Sequence, residues 1–243
     1  MRNRVFLGDC LEIMKDIPDS SVDMVMCDLP YGTTQCKWDT IIPLDKLWEQ
    51  YNRVCKINAP IVLTSAQPFT SALIMSNPKY FKYNWIWEKS KATGYLNAKR
   101  MPMRAHEDVC VFYRKPPVYN PKMVQGEPYN KGKAHRPTDV YGEQRSVLVK
   151  NDTGLRYPRT VQYFKTAESE GKVYHPTQKP IEMFKYFIET YTNEGDLVLD
   201  NCIGSGTTAL ACLATKRDYI GIEMEEKYFD IVNERITNFM EDK

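Results

Sequence analysis

Asp28-Leu29-Pro30-Tyr31 follows a largely apolar run over 22–27 that predicts a buried strand. The four residues put a carboxylate, a backbone carbonyl and an aromatic ring at a strand's carboxyl end, where open α/β sheets bind ligands. That set suits chemistry on a planar amine, whose lone pair is delocalised into the ring and is a poor nucleophile. Acceptors aimed at the amine hydrogens favour the pyramidal nitrogen that can attack a methyl sulfonium. Asp28 and a neighbouring carbonyl supply such acceptors, and Tyr31 offers a face on which an extruded base can stack. Leu29 precedes proline and is biased to an extended conformation, which helps hold its carbonyl outward. A strand-ending turn containing Asp and Pro would use the same residues.

A second candidate site lies at Asp200-Asn201-Cys202-Ile203-Gly204-Ser205-Gly206-Thr207-Thr208, between a strand predicted over 196–200 and a helix running to 214. Gly204 and Gly206 let the backbone approach a ligand closely, and the helix start offers free N–H groups. Roughly 20 residues on, Glu223 ends the next strand, where a carboxylate can hold ribose hydroxyls. The segment departs from G-x-G-x-x-G at Thr207-Thr208, and an isolated Gly-x-Gly also serves plain structural turns. With strand, turn, helix, strand and terminal acid in series, the segment predicts a nucleoside site. Only 35 residues follow Thr208, so the remaining strands of the sheet must come from 5–66. Chain order is then reversed relative to sheet order: the ligand-binding half comes last and the chemistry half first. Asp9, ending the first strand, is expected beside Glu223 and facing the ligand's adenine. That arrangement argues against an ordinary NAD dehydrogenase.

The elements that must position these residues are legible as alternating signals. Strands are predicted at 5–7, 22–27 and 61–63, with helices over 11–17, 43–56 and 68–75, which implies βαβ units and a parallel sheet. Strands at 81–87 and 109–113 are expected to be joined by a polar, basic loop over 89–104. Prolines and glycines punctuate 115–172, which reads as a loop-rich insertion. Alternation resumes with a helix over 181–191, strands at 196–200 and 219–222, and a last helix over 226–240. The expected fold is α/β: a Rossmann-like sheet, circularly permuted and mostly parallel, with a small insertion. Residues 1–114 would form the catalytic half, 115–172 a target-recognition insertion and 173–243 the cofactor half of the same domain.

Composition bounds the class. The 243 residues are 42% hydrophobic and 26% charged, ordinary for a soluble globular chain. No apolar run reaches the length of about 20 residues that a membrane helix needs, and the N-terminus shows no signal region. A cytoplasmic location is the expectation. Seven cysteines form no Cys-x-x-Cys pair and the three histidines are scattered, so no metal site or disulfide framework is expected. The net charge of +2 hides an asymmetry, with 20 Lys/Arg against 9 Asp/Glu over 79–180, where 15 of the aromatic residues also lie. A basic, aromatic-rich middle suits a polyanion, although a solvated positive face would look similar.

Together these residues resemble the β class of DNA amino-methyltransferases, named for this permuted motif order. The resemblance covers 5–114 and 174–236. The family's Asp/Asn/Ser-Pro-Pro-Tyr motif is matched at Asp28 to Tyr31, with Leu29 in place of the first proline. Its Asp-Pro-Phe-x-Gly-Ser-Gly-Thr-Thr motif is matched at Asp200 and at Gly204 to Thr208, with Asn201 and Cys202 replacing Pro-Phe. His175-Pro176-Thr177-Gln178-Lys179-Pro180 resembles the segment that closes over the methionine part of the cofactor, and Gly8-Asp9 and Glu223 resemble its adenine- and ribose-binding acids. His106-Glu107-Asp108 matches a further shared segment to which no chemical role is assigned.

The resemblance implies S-adenosyl-L-methionine (SAM) as cofactor, held by Asp9, Thr177, Lys179, Pro180, Asp200, Cys202, Gly204, Gly206, Thr207 and Glu223. It implies double-stranded DNA as substrate, the basic insertion as target-recognition region, and transfer to adenine N6, the Asp form usually going with adenine. Cytosine C5 chemistry uses a cysteine nucleophile in Pro-Cys, which does not occur here. Arg100, Arg104, Arg136, Arg145, Arg156 and Arg159 are candidates for DNA contact, though each also suits a solvated surface. Homodimers are common in the family. Cytosine N4, an RNA or protein amine, and a non-catalytic DNA-binding module remain the competing readings.

Overall fold

The computed structural model describes residues 1–34, 36, 39–134 and 147–241. Arg136 and Arg145 lie outside the described residues.

The chain opens with β1 (Arg4–Leu7), α1 (Cys10–Ile13), β2 (Met24–Asp28), α2 (Leu44–Val54), β3 (Ile61–Ser65) and α3 (Phe69–Ser76). The middle holds β4 (Phe81–Thr93), β5 (Arg104–Phe112), β6 (Val124–Gln125), β7 (Tyr129–Ala134), β8 (Val147–Asn151), β9 (Leu155–Arg156) and β10 (Val161–Phe164). It closes with α4 (Ile181–Tyr191), β11 (Leu197–Asp200), α5 (Thr207–Ala214), β12 (Asp218–Glu223) and α6 (Glu226–Glu241). An eight-stranded sheet runs β1-β12-β11-β2-β3-β5-β4-β10. The first five of these strands are mutually parallel. β5 is antiparallel to both β3 and β4, and β10 lies parallel to β4 at the edge. The late strand β11 therefore sits directly beside the early strand β2, the permuted order that the position of the glycine turn required.

Side-chain alternation sorts the core into two layers. Val25 and Cys27 of β2, with Ile61 and Leu63 of β3, pack with Leu47, Tyr51 and Val54 of α2 and Leu73 of α3. Met24, Met26 and Val62 point to the other face, against Met183, Phe187 and Ile188 of α4, Ala209 and Cys212 of α5 and Val232 of α6. β2, β3 and β11 are almost wholly buried, as central parallel strands covered on both faces must be.

Three local outcomes depart from the sequence signals. The helix expected over 11–17 is α-helical only at Cys10–Ile13 and tightens into a 3₁₀ turn at Met14–Asp16. β4 continues to Thr93 and β5 begins at Arg104, so the basic connection shrinks to 94–103. Those outer strand segments are polar and pair with each other beyond the core, so they carry no hydrophobic signal. Residues 115–120 and 160–172, read as part of the insertion, lie in the sheet-bearing unit, Met1–Asn120 with Thr160–Lys243. There the Asn120 amide donates to the Thr190 carbonyl at 2.7 Å, and β10 completes the sheet. The second unit is Pro121–Arg159, built of two antiparallel ribbons, β6 with β9 and β7 with β8.

All seven cysteines are free, and Cys10, Cys27, Cys55, Cys110 and Cys212 are buried. Among the described residues no helix is long and apolar enough to cross a membrane, and no group of three His, Cys, Asp or Glu is placed to hold a metal.

Gly206 begins α5 in the left-handed region at φ 90°, and a Cβ there would lie 2.4 Å from Val232 Cγ2 of α6. Gly206→Ala is expected to cost roughly 2–4 kcal/mol, from strained backbone plus overpacking against a stiff side chain. Gly195→Ala, also left-handed at φ 82° but with open space around it, should lose only about 1–2 kcal/mol. Urea denaturation of both variants checks the difference.

Candidate active site

β2 ends at Asp28, and three donors converge on its carboxylate. The Tyr31 hydroxyl donates to Oδ1 at 2.8 Å, the Thr64 hydroxyl of β3 donates to the same oxygen, and the Lys179 ammonium donates to Oδ2 at 2.8 Å. A carboxylate oxygen accepts two hydrogen bonds, so Oδ1 is saturated by the protein and Oδ2 keeps one free acceptor direction. Leu29 is 3% exposed and packs into the core, so its side chain anchors the tetrapeptide where the family has proline. Phe69 stacks on Tyr31 with ring centroids 5.3 Å apart and planes at 20°, and the Lys179 ammonium lies over the same ring, 5.2 Å from its centroid. The chain beyond Tyr31 folds around Asp39, which accepts the amides of Gly32, Thr33 and Thr34 at 2.8, 2.9 and 2.7 Å. Burial pushes the Asp39 carboxyl up, but these hydrogen bonds outweigh it and hold the group below the usual carboxylate range.

Behind Asp28 runs a line of buried charge. Lys179, 7% exposed, lies between Asp28 and Glu107, with Glu107 Oε2 at 3.5 Å. Glu107 Oε1 receives the Lys89 ammonium at 3.0 Å, and Lys89 also donates to Thr93 at 3.4 Å. Burial alone would push the Lys179 ammonium down, yet Asp28 and then Glu107 hold it above the ordinary lysine value. Glu107 shows the mirror case: burial raises it, and Lys179 and Lys89 bring it below its ordinary 4.5. The Tyr31 phenol is raised by burial and then by the Asp28 and Glu107 charges, so it stays a donor.

The second half of the site forms where β11, β12 and β1 end side by side. Leu7 pairs with Glu223, and the Gly8 amide donates to the Glu223 carbonyl at 2.8 Å. The Glu223 carboxylate is buried and accepts the Gly204 amide at 2.8 Å and the Glu225 amide at 2.9 Å. Burial raises this carboxyl above its ordinary value. Asp200 accepts the Cys202 amide at 3.0 Å and the Thr208 hydroxyl, and burial pushes it to about 6. His175 accepts the Thr177 amide at 3.2 Å, rests 4.3 Å from the Tyr228 ring, and is lowered to about 4 by burial. It is therefore a neutral ring at physiological pH. The Asp9 carboxylate caps α1 through the Leu11 amide at 2.7 Å.

A cavity of about 600 Å³ joins the two halves, within the range of roughly 300–1,000 Å³ typical of small-molecule pockets. Asp9, Asp28, Leu29, Pro30, Tyr31, Thr177, Lys179, Asp200, Cys202, Gly204, Thr207, Glu223 and Arg104 all line it. Gly204 keeps the wall open: a Cβ there would meet only His175, at 4.0 Å. That cradle, with a buried carboxylate and backbone turns at three strand ends, suits a nucleoside-bearing ligand.

Some expected residues sit elsewhere. Pro180 and Gly206 open α4 and α5 and stay behind the cavity wall. Arg100 lies outside the lining. Arg156 and Arg159 belong to the Pro121–Arg159 unit, where the Arg156 guanidinium donates to the Gly154 carbonyl at 2.9 Å and lies 4.6 Å from the Tyr129 ring centroid. The sequence reading gave no role to Thr64, Phe69, Lys89 or Glu107. Only Glu107 carried a signal, through the His106-Glu107-Asp108 segment; the others meet Asp28 and Tyr31 purely through folding.

Glu107's lowered carboxyl makes a pH-dependent contribution. Its folded value lies below the unfolded one, so the stabilisation is complete well above pH 4.5 and is lost as pH falls toward the folded value. Glu107→Gln should cost about 3 kcal/mol at pH 7, since it leaves Lys89 and Lys179 less compensated. The gap from the wild type should narrow below pH 4.5. Urea titrations at pH 7 and pH 4 measure it.

Comparison with known proteins assigns the chain to a family. The model of the DNA methylase family, of the N6/N4 class, matches residues 22–234. The type II methyltransferase M.HpaI of Haemophilus parainfluenzae is 24% identical, over 97% of this chain and 74% of its own length. M.HinfI of Haemophilus influenzae is 27% identical, over 96% of this chain and 68% of its own. Among crystal structures, the M1.HpyAVI–SAM complex matches with a TM-score of 0.66 at 25% identity, covering 96% of this chain and 98% of that one. The cytosine-N4-specific PvuII DNA methyltransferase shares the fold, with a TM-score of 0.67 at 16% identity over 98% of this chain and 90% of its own. The protein belongs to the DNA methylase family of the N6/N4 class.

Proposed function

We propose that this DNA methylase transfers a methyl group from SAM to N6 of adenine at a specific site in double-stranded DNA. The observation that carries the reading is the Asp28 carboxylate: pinned by Tyr31, Thr64 and Lys179, it keeps one free acceptor direction on Oδ2 inside the cavity that also holds Glu223. When bound, SAM supplies an electrophilic methyl group on a sulfonium. Glu223, Asp9, Gly204 and Cys202 are the residues to hold its nucleoside part, with Thr177, Thr207 and the Asp200 turn around the remainder.

Asp28 Oδ2 and the Leu29 carbonyl accept from the two hydrogens of the extruded amine, which turns the nitrogen lone pair out of the ring plane. The proton released on transfer passes to Asp28 Oδ2. Tyr31 and Lys179 preorganise that oxygen, so little reorganisation accompanies the charge change. The chemistry needs neither a covalent enzyme intermediate nor a metal. Adenine rather than cytosine follows from Asp at the first position of the tetrapeptide, the form the family resemblance pairs with N6. Arg100 and Arg104 are among the basic groups of the sheet-bearing unit available for phosphate contact, and binding through such contacts weakens steeply with salt.

Tritiated SAM offered with duplex DNA, RNA and protein should label duplex DNA, and single-molecule sequencing of DNA from expressing cells should show N6-methyladenine in one sequence context. Label only in RNA or protein overturns the reading, and N4-methylcytosine corrects the base. Asp28→Ala should lower kcat by at least about 100-fold while leaving SAM Kd within about twofold. Single-turnover kinetics and calorimetry test it, and near-native turnover in that variant removes Asp28 from the mechanism.

A further inference from the structure

The hairpin between β4 and β5 projects beyond the core and has no part in the chemistry above. Its stem is braced: the Trp87 indole donates to the Phe164 carbonyl at 3.0 Å, and the Thr166 amide donates to the Ser90 hydroxyl at 3.0 Å. After Glu88 pairs with His106, the next pair is Thr93 with Arg104. The extra residues of β4 form a bulge, a device that bends a ribbon and re-aims its tip. Thr93, Arg104, His106 and Thr166 all line the cavity, so the hairpin rises from the wall of the candidate active site. Gly94 at φ 92° starts a 3₁₀ turn over Tyr95–Asn97, closed by the amides of Ala98 and Met101 on the carbonyls of Tyr95 and Asn97, each at 3.0 Å.

This ordered tip presents apolar side chains to solvent. Leu96 is 97% exposed, Tyr95 79% and Met101 57%. From residue 89 to 106 the chain carries five Lys/Arg and no Asp or Glu. Among the described residues, Lys99, Arg100 and Arg104 form no ion pair. Single exposed apolar residues are common, but a leucine and a tyrosine on a rigid tip, ringed by uncompensated cations at a catalytic cavity, fit one kind of partner. The charge selects a polyanion, and the apolar tip selects one with an apolar interior, which a base-stacked duplex has.

We infer that the Tyr95-Leu96 tip is a wedge that enters the base stack next to the target nucleotide and fills the space the extruded base leaves, while Lys99, Arg100 and Arg104 seat the flanking phosphates. The inference rests on the DNA reading above and adds to it the element that opens the duplex. An enzyme acting on a base amine must pay for unstacking, and side chains that occupy the gap offset that cost.

The test uses a duplex containing the site found by sequencing, with 2-aminopurine at the target position. Wild-type protein should raise its fluorescence, and the Tyr95→Ala/Leu96→Ala double variant should lose the rise and about tenfold or more in kcat/KM. SAM affinity should be unchanged. A mismatch at the target, where the base is already unpaired, should bring the double variant to within roughly threefold of wild type. Leu96→Met, which keeps an apolar tip, should behave as wild type. An equal deficit on matched and mismatched duplexes overturns the wedge and leaves the DNA reading standing, as does native flipping by the double variant. A change in sedimentation of the double variant with no effect on DNA assigns the tip to contact with a second copy instead. A wild-type protein that methylates no DNA overturns the function and the wedge together.

Discussion

The Lys179 ammonium, buried between the Asp28 and Glu107 carboxylates, is the constraint on which the rest of the site depends. A lone buried cation is costly, and a pair of carboxylates so placed is costly without it. Lys179 comes from the late part of the chain, just before α4, whereas Asp28 and Glu107 come from β2 and β5. The ion cluster therefore fastens the two halves of a permuted domain at the point where a reacting amine would be held. Lys89 completes the balance by compensating Glu107, leaving Asp28 enough charge and one free acceptor direction. Replacing these groups by apolar residues could preserve stability, but it would leave nothing to orient the Asp28 oxygen.

Permutation has a physical consequence for the cavity. Because β11 sits beside β2, the carboxyl ends of early and late strands share one edge, and their terminal acids face a common space. Asp9, Asp28, Asp200 and Glu223 reach it from four different strand ends. Backbone amides hold the Glu223 and Asp200 carboxylates in place, so the protein itself fixes the groups that face the cavity. Under the proposed function, that preorganisation lets one sheet offer a nucleoside pocket in one half and a pocket for an extruded base in the other.

The hairpin of β4 and β5 shows how the antiparallel end of the sheet serves a different need. The parallel strands end at the cavity floor, and only an antiparallel ribbon can run past the core and return. A bulge at its neck, bracing by β10, and a tip closed by its own hydrogen bonds hold the projection in shape. Stiffness matters because a flexible loop would lose much of any gain from stacking to ordering.

The sequence by itself determined the order of elements outside 115–172, the permutation, the tetrapeptide and the glycine turn. Each of these is a local signal: apolar runs, a proline, or glycines whose conformations few other residues adopt. It also pointed to Asp9 near Glu223; in the structure Leu7 pairs with Glu223, and both acids line the cavity. Tertiary structure alone decided that Thr64, Lys179 and Tyr31 share the Asp28 carboxylate, that Glu107 links two lysines, and that Gly206 and Pro180 pack behind the wall. It also drew the boundary of the separate unit at Pro121–Arg159 rather than at 115–172, because β10 is a four-residue edge strand, Val161–Phe164, too short to stand out from a loop until its partner β4 is seen. Periodicity reports which face of an element is buried, but not which distant side chain meets it. A hydrogen bond across 151 positions, such as Lys179 to Asp28, exists only once the sheet has brought its strand ends together.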